Sequence, residues 1–359
     1  MTIMIRSRLN AVRRFMQISR LDAFIVSDPA HVFYLTGFSG SSGLCVITPH
    51  RQFFITDNRY KAQAPLEVRG YRIVIAPLNL FQTIADRRLI PLRRRIGFES
   101  HVLHVSEFRS LKKLFPSCRF VPAANVIETI SAVKDASEIA LLRAAVEITD
   151  KAFKKVLPLI RPGVREGDIA AEISYWHKRY GADADAFDPI VAGGPRGALP
   201  HAHASERKIK RGEMLVMDFG CRRKGYHSDM TRTVSVGKPS GLMRSVYAAV
   251  LEAQQRALDI LKAGAAACAV DAAARDVIRH YGFGKYFIHS LGHGLGIHLH
   301  EPLRLSPISK DILQKGNTVT VEPGIYLPGV GGVRIEDDVV IGRDHSEVLN
   351  TSSKELIIL

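Results

Sequence analysis

Two apolar segments of the chain each carry an aspartate at a position that a folded protein would bury. Asp218 lies in LVMDFG and Asp229 in YHSDMTRTV. Strand alternation places Asp229, Thr231 and Thr233 on one face of the second segment. A buried carboxylate without a partner is costly, and two carboxylates held together by antiparallel strands repel each other unless a cation lies between them. The segments therefore predict a metal site, with a pair of strand-end caps as the alternative.

Three further residues extend this candidate site. His293 lies between glycines in GHGLG, Glu322 ends an apolar segment in VEPG, and Glu336 lies in GVRIEDD. One imidazole and four carboxylates suit two divalent ions, and a single ion would not need so many negative ligands. We expect two ions, with Mn²⁺ as the first choice and Co²⁺, Zn²⁺ or Fe²⁺ as chemically admissible alternatives.

The composition predicts a folded globular protein with two domains. Of the 359 residues, 46% are hydrophobic and 24% are charged, and a chain of this length suits two cores. No apolar run reaches the roughly 18 residues of a membrane span, and the N-terminus lacks the apolar segment of a secretory signal. The four cysteines are scattered without a CxxC pair, which indicates reduced thiols in a cytoplasmic protein.

The basic charge balance raises the question of a polyanionic partner. The formal net charge is +15, and Arg93, Arg94 and Arg95 form the densest basic cluster. No motif of interleaved aromatic and basic residues accompanies this cluster, and a solvated basic face is the simpler interpretation. We therefore expect neither a nucleic-acid partner nor a membrane partner.

Periodicity and turn residues divide the chain into domains of residues 1–127 and 128–359. In the first, a helix carrying Leu9, Val12 and Met16 precedes a small α/β unit with strands expected at AFIV, DPAHVFYLTG, LCVIT and QFFIT. The second domain is α+β. Its helices are expected to begin near residue 137 and to cover 167–181, 241–262 and 268–281. Its strands are expected at 213–220, 226–236, 317–322 and 332–341.

Five motifs together resemble those of the peptidases with the pita-bread fold, which include methionine aminopeptidase, aminopeptidase P and prolidase. The motifs are MDFG, SDMTRT, GHGLG, VEPGIY and RIEDD, and they occur in the family's order. The resemblance implies that Asp218 chelates one ion and that His293 and Glu322 hold the other. It further implies that Asp229 and Glu336 bridge the two ions and that a hydroxide lies between them.

Two more histidines match catalytic positions of the same family. His201 lies in ALPHAH and His300 in HLHE, and the resemblance implies that both donate hydrogen bonds to the substrate or to the tetrahedral intermediate. It gives Glu322 a second role, as the proton shuttle to the leaving nitrogen. His203, His289 and His298 are interpreted as structural.

The N-terminal segments DPAHVFYLTGFSGSSG and ITDNRY resemble the module that creatinase, prolidase and aminopeptidase P share and methionine aminopeptidase lacks. Creatinase lacks the metal ligands, whereas this chain retains all five. The resemblance therefore implies cleavage of the bond before proline. It separately implies a dimer, because relatives with this module commonly form one. We expect an Xaa-Pro aminopeptidase that releases the N-terminal residue. The alternative is an Xaa-Pro dipeptidase, because Arg304 lies where prolidases carry an arginine that clamps a dipeptide's carboxylate. A non-catalytic peptide- or nucleic-acid-binding module on the same fold is the alternative from another class.

Overall fold

The chain folds into two units, one that ends at Ser131 and one over Ala132–Leu359. The computed structural model describes residues 2–359, with side chains from residue 4 onward. The expected domain boundary after residue 127 stays a prediction. Among the helices of this described part, none combines the length and the apolar character that crossing a bilayer requires.

The N-terminal unit is built on a six-stranded sheet in the order β4-β3-β2-β1-β5-β6. Its strands are β1 (Ala23–Val26), β2 (Leu44–Ile47), β3 (Gln52–Asp57), β4 (Arg72–Ala76), β5 (Arg95–Glu99) and β6 (Arg119–Ala123). Its helices are α1 (Thr2–Ile18), α2 (Pro29–Thr36), α3 (Ala64–Glu67), α4 (Leu80–Asp86), α5 (Val105–Leu114) and α6 (Val126–Ser131). Only β2 runs antiparallel to its neighbours. All four residues of β1 are buried, as expected for a largely parallel sheet.

The segment DPAHVFYLTG is a helix, and its interpretation as a strand is wrong. The Asp28 carboxylate caps α2 by accepting hydrogen bonds from the backbone N–H groups of Ala30 and His31, at 2.8 and 3.1 Å. Pro29 occupies the first turn, and Gly37 closes the helix in the left-handed region at φ 83°. These start and stop signals outweigh the strand preference of the Val-Phe-Tyr run between them.

The C-terminal unit, residues 132–359, combines four α-helices with four small sheets among its described residues. The helices are α7 (Ala136–Val156), α8 (Glu166–Arg179), α9 (Gly241–Ile260) and α10 (Ala267–His280). The first strands are β7 (Ala184–Asp185), β8 (Ile190–Gly193), β9 (Glu213–Phe219), β10 (Cys221–Arg223), β11 (Tyr226–His227) and β12 (Met230–Val236). The later strands are β13 (Gly292–Gly294), β14 (Glu301–Leu305), β15 (Thr318–Val321), β16 (Gly324–Leu327), β17 (Gly331–Arg334), β18 (Asp337–Val340) and β19 (Glu347–Val348).

Two sheets of this unit position the candidate site. One has the order β12-β9-β8, and the other has the order β14-β13-β15-β18-β19. The expected strands 226–236 and 332–341 are each broken in two. The first break leaves Ser228 and Asp229 outside the ladder between β11 and β12, and the second leaves Ile335 and Glu336 between β17 and β18. The second break occurs because β17 pairs with β16 whereas β18 pairs with β15, so the chain changes sheets there.

Candidate metal centre

The first two candidate ligands come from neighbouring antiparallel strands. Asp218 on β9 lies opposite Thr231 on β12, and Asp229 immediately precedes β12. Gly220 permits the strands to approach here, because a Cβ at this position would collide with the Ser228 carbonyl oxygen. Only 8% of Asp218 and 5% of Asp229 is exposed. The antiparallel pairing that the sequence predicts therefore brings two buried carboxylates together.

His293 and Glu322 approach this pair from the five-stranded sheet. The Nδ1 of His293 lies 3.0 Å from the Gly294 carbonyl oxygen. Because a carbonyl can only accept, Nδ1 carries the proton and the Nε2 lone pair is free. That Nε2 atom lies 3.6 Å from Asp229 Oδ2 and 3.6 Å from Glu322 Oε1. The imidazole therefore presents a ligand atom to the acids.

Glu336 completes the cluster from the break between β17 and β18. Thr231 Oγ1 donates to Glu336 Oε2 at 2.6 Å, and the Glu336 N–H donates to the Thr231 carbonyl at 3.1 Å. One ligand atom from each of Asp229, His293 and Glu336 lies within 4.8 Å of the others. All five sequence-predicted ligands, Glu322 and Asp218 included, line one cavity.

The electrostatics of the cluster fit divalent cations. Asp218 Oδ1 and Asp229 Oδ1 are buried and have no hydrogen-bond partner among the described residues, whereas strand-end caps would accept hydrogen bonds. Burial, and then the Asp218 charge, raises the pKa of Asp229 well above its usual range. Burial and the neighbouring carboxylates likewise raise the pKa of Glu336. Burial raises the pKa of Glu322 to about 7 although His293 and Arg334 oppose it. Bound cations would remove this repulsion and satisfy the two free oxygens.

Arg334, on β17, is a site residue that sequence reasoning missed. Its Nη2 donates to Asp218 Oδ2, its Nε donates to Thr231 Oγ1 at 2.9 Å and its Nη1 donates to the Tyr326 hydroxyl at 2.7 Å. Burial alone would lower the pKa of Arg334, but the attraction of Tyr326 and the surrounding carboxylates outweighs it and raises the pKa. The alternation of strand residues was the available signal, because Arg334 and Glu336 are two positions apart.

The hydrogen bonds of Arg334 continue to a histidine. His289 Nδ1 lies 2.8 Å from the Ser290 carbonyl oxygen, so it carries the proton and Nε2 accepts from the Tyr326 hydroxyl at 2.9 Å. Burial, with the charge of Arg334, lowers the pKa of His289 to about 4. Burial raises the pKa of Tyr326 to about 12. Neutral Tyr326 and His289 thus support the guanidinium that holds Asp218.

The cavity over the cluster has a volume of about 550 Å³ and holds the other predicted site residues. His201, His300 and Arg304 all line it. The His300 ring centroid lies 4.2 Å from that of His293. Burial, assisted by the charge of Arg304, lowers the pKa of His300 to about 4. His300 is therefore neutral near pH 7 and keeps one N–H to donate.

Arg304 lies on β14 directly opposite His293. Its side chain is exposed. Among the residues that the structure describes, its guanidinium finds no hydrogen-bond acceptor and no acid, so the surface salt bridge that would give it a purely structural role is absent there. The guanidinium is available to an anionic group in the cavity.

A buried ion pair supports the segment that carries His300. Lys134 Nζ donates to Glu301 Oε2, and 1% and 2% of the two side chains are exposed. Glu301 Oε1 also accepts from the Ile297 N–H at 3.2 Å. The pair therefore ties the loop between β13 and β14 to the segment that precedes α7.

Comparisons with known proteins agree with this geometry. Residues 140–343 match the model of metallopeptidase family M24, and residues 8–133 match the creatinase/prolidase N-terminal domain. An Xaa-Pro dipeptidase from Pyrococcus furiosus is 35% identical over 98% of this chain and 100% of its own.

Two solved structures resemble the chain over most of their length. An Xaa-Pro dipeptidase from Bacillus anthracis is 39% identical with a TM-score of 0.96, covering 99% of this chain and 100% of its own. An X-Pro aminopeptidase from Thermotoga maritima is 36% identical with a TM-score of 0.90, covering 96% and 100%. The two-domain fold that the sequence predicts is confirmed, and the chain belongs to metallopeptidase family M24.

Proposed function

We propose that the protein is an Xaa-Pro dipeptidase, a prolidase that hydrolyses dipeptides with proline in second position. Arg304 carries this proposal. Its exposed, unpaired guanidinium lines the cavity on the strand opposite His293, where it would bind the carboxylate of the C-terminal proline bidentately. The dipeptidases among the relatives support the same choice. The comparisons thus favour the dipeptidase alternative over the aminopeptidase that the sequence first suggested.

We assign the metal ligands as the sequence predicts them. Asp218, Asp229, His293, Glu322 and Glu336 would hold two divalent ions, because they combine free oxygens, a free imidazole nitrogen and excess negative charge in one buried cluster. When bound, two such ions lower the pKa of a shared water and polarise the scissile carbonyl. Mn²⁺ is the first choice, with Co²⁺, Zn²⁺ and Fe²⁺ as alternatives.

The protein's own side chains would orient the substrate and move its protons. Neutral His300 would donate a hydrogen bond to the carbonyl oxygen as negative charge develops there, with His201 as a second donor at the cavity wall. Glu322 would carry a proton to the proline nitrogen, which needs it to leave as an amine. Arg334 would keep Asp218 oriented.

The cellular setting remains at the level of prediction. We propose a homodimer in the cytoplasm that acts on proline-containing peptides and binds neither nucleic acid nor membrane. Gel filtration with light scattering tests the dimer, and retention on immobilised DNA or RNA at low salt tests the nucleic-acid expectation.

The test of dipeptidase activity compares Xaa-Pro with Xaa-Pro-Yaa-Zaa peptides. Wild type should cleave the dipeptide, and Arg304→Ala should lower kcat/KM for it by about ten- to a hundredfold, the value of a charge-assisted hydrogen bond. Arg244→Ala is the matched control, because Arg244 is exposed on α9 and lies outside the cavity.

Two outcomes would contradict the proposal. Efficient cleavage of the tetrapeptide, with little cleavage of the dipeptide, would restore the aminopeptidase. Equal cleavage of peptides without proline would exclude both activities.

A further inference from the structure

The cavity contains one carboxylate that the metal ligands do not account for. Among its described lining residues, Asp188 is the single acid outside the five proposed ligands. The Asp188 side chain is exposed, and it makes no hydrogen bond or ion pair with any residue that the structure describes. An acid without a structural partner that faces a substrate cavity is available to a cationic group.

Strand register places Asp188 and Arg304 near different proposed ligands. Ile190, the first residue of β8, lies opposite Asp218 on β9, so Asp188 lies two residues before that pairing. Arg304 lies opposite His293 on another sheet. The two unpaired charges of opposite sign therefore line one cavity next to different proposed ligands, Asp188 near Asp218 and Arg304 opposite His293.

This arrangement fixes how a dipeptide would lie, an inference that rests on the proposed function. With the proline carboxylate on Arg304 and the scissile bond over the ligands, the Xaa residue extends toward β8. Phe187 and Asp188 line the cavity there. An aromatic face beside a carboxylate suits a long aliphatic stem that ends in a cation.

We propose that Asp188 belongs to the subsite for Xaa and that the enzyme prefers dipeptides with lysine or arginine before proline. Phe187 contacts the methylene groups of the side chain, and Asp188 pairs with its ammonium or guanidinium group. The carboxylate is solvent-exposed, so the preference is modest. A pair between exposed charges corresponds to about a two- to fivefold advantage over a neutral side chain of equal length.

The experiment compares Lys-Pro with norleucine-Pro, which has the same carbon chain without the charge. The readout is the ratio of their kcat/KM values, because an effect on the common N-terminal amine would change both rates alike. Wild type should favour Lys-Pro about two- to fivefold at low salt, and the preference should shrink as salt screens the pair.

Variants assign this preference to Asp188. Asp188→Asn should bring the ratio to about one, and Asp188→Lys should invert it in favour of norleucine-Pro. Asp344→Asn is the control, because Asp344 is exposed, carries the same charge and lies outside the cavity. It should keep the wild-type ratio.

The outcomes separate this proposal from the dipeptidase assignment. Equal wild-type rates on the two dipeptides, or a wild-type ratio retained by Asp188→Asn, would overturn the role of Asp188 and leave the dipeptidase assignment intact. Failure to cleave either dipeptide while longer Xaa-Pro peptides are cleaved would instead overturn the proposed function.

Discussion

Replacing Arg334 by methionine tests whether the acidic cluster depends on a buried cation. Methionine keeps an unbranched but shorter side chain and removes the donors to Asp218, Thr231 and Tyr326. Because 3% of Arg334 is exposed, bulk solvent has little access to the groups that accept its hydrogen bonds. Asp218 would then have neither of its buried oxygens paired by protein.

The magnitude follows from the loss of one partner of a buried ion pair, which typically costs about 3–5 kcal/mol. For a unit of this size, each kcal/mol lowers the melting temperature by about 2–4 °C, so we expect a fall of roughly 6–20 °C in metal-free protein. Metal-loaded protein should lose less, because bound cations offset the charge of Asp218.

Differential scanning calorimetry on the metal-free and metal-loaded forms measures the melting temperatures of wild type and Arg334→Met. Arg244→Met, a substitution of an exposed arginine on α9, should leave both melting temperatures within about 1–2 °C of wild type. The melting temperature of Arg334→Lys should lie between those of Arg334→Met and Arg244→Met. Lysine keeps the positive charge but lacks the fork-shaped donor geometry of the guanidinium. A metal-free Arg334→Met variant that melts with wild type would refute the reasoning.

Two further predictions concern the metal centre. Chelation should abolish turnover and Mn²⁺ or Co²⁺ should restore it; full activity in protein shown to be metal-free by elemental analysis would contradict this. Asp229→Asn should weaken metal binding because it removes a carboxylate charge that we propose bridges the two ions, whereas His300→Ala should keep its metals and lose about 10²–10³ in rate. Metal content and turnover are measured for both variants. Loss of metal from His300→Ala but not from Asp229→Asn would contradict the assignment of Asp229 as a metal ligand and of His300 as a hydrogen-bond donor.

The sequence predicts the proposed ligand set because each of its residues lies in a short, recognisable motif within or next to an apolar segment. Alternation predicts the face that Asp229 shares with Thr231 and Thr233, and the structure pairs the two segments antiparallel with Asp218 opposite Thr231. The boundaries are less predictable. The breaks at Asp229 and Glu336 depend on which sheet each half joins, and that choice is made by tertiary packing.

The supporting residues were harder to predict, for a physical reason. Lys134 and Glu301 are 167 positions apart in the chain, and no local pattern links a lysine before a helix with a glutamate at a strand start. Arg334 gave a local signal, two residues before Glu336, but a lone arginine in a strand is ordinary. Helix α2 is hard to predict because the β-propensity of its Val-Phe-Tyr run competes with the start and stop signals of Asp28, Pro29 and Gly37.

The residues proposed to bind metal and those proposed to select the substrate differ in how the fold holds them. Asp218, Asp229, His293, Glu322 and Glu336 lie near the ends or breaks of strands or within short ones, where the ladder holds each backbone and leaves the side chains free to converge. Moving any of them would disturb a sheet. Arg304 and Asp188, by contrast, are exposed and free of structural partners, so substitution there should alter substrate choice at little cost to folding. If Arg304 and Asp188 act as proposed, dipeptidase and aminopeptidase activities would share one metal centre and differ in the charges at its rim.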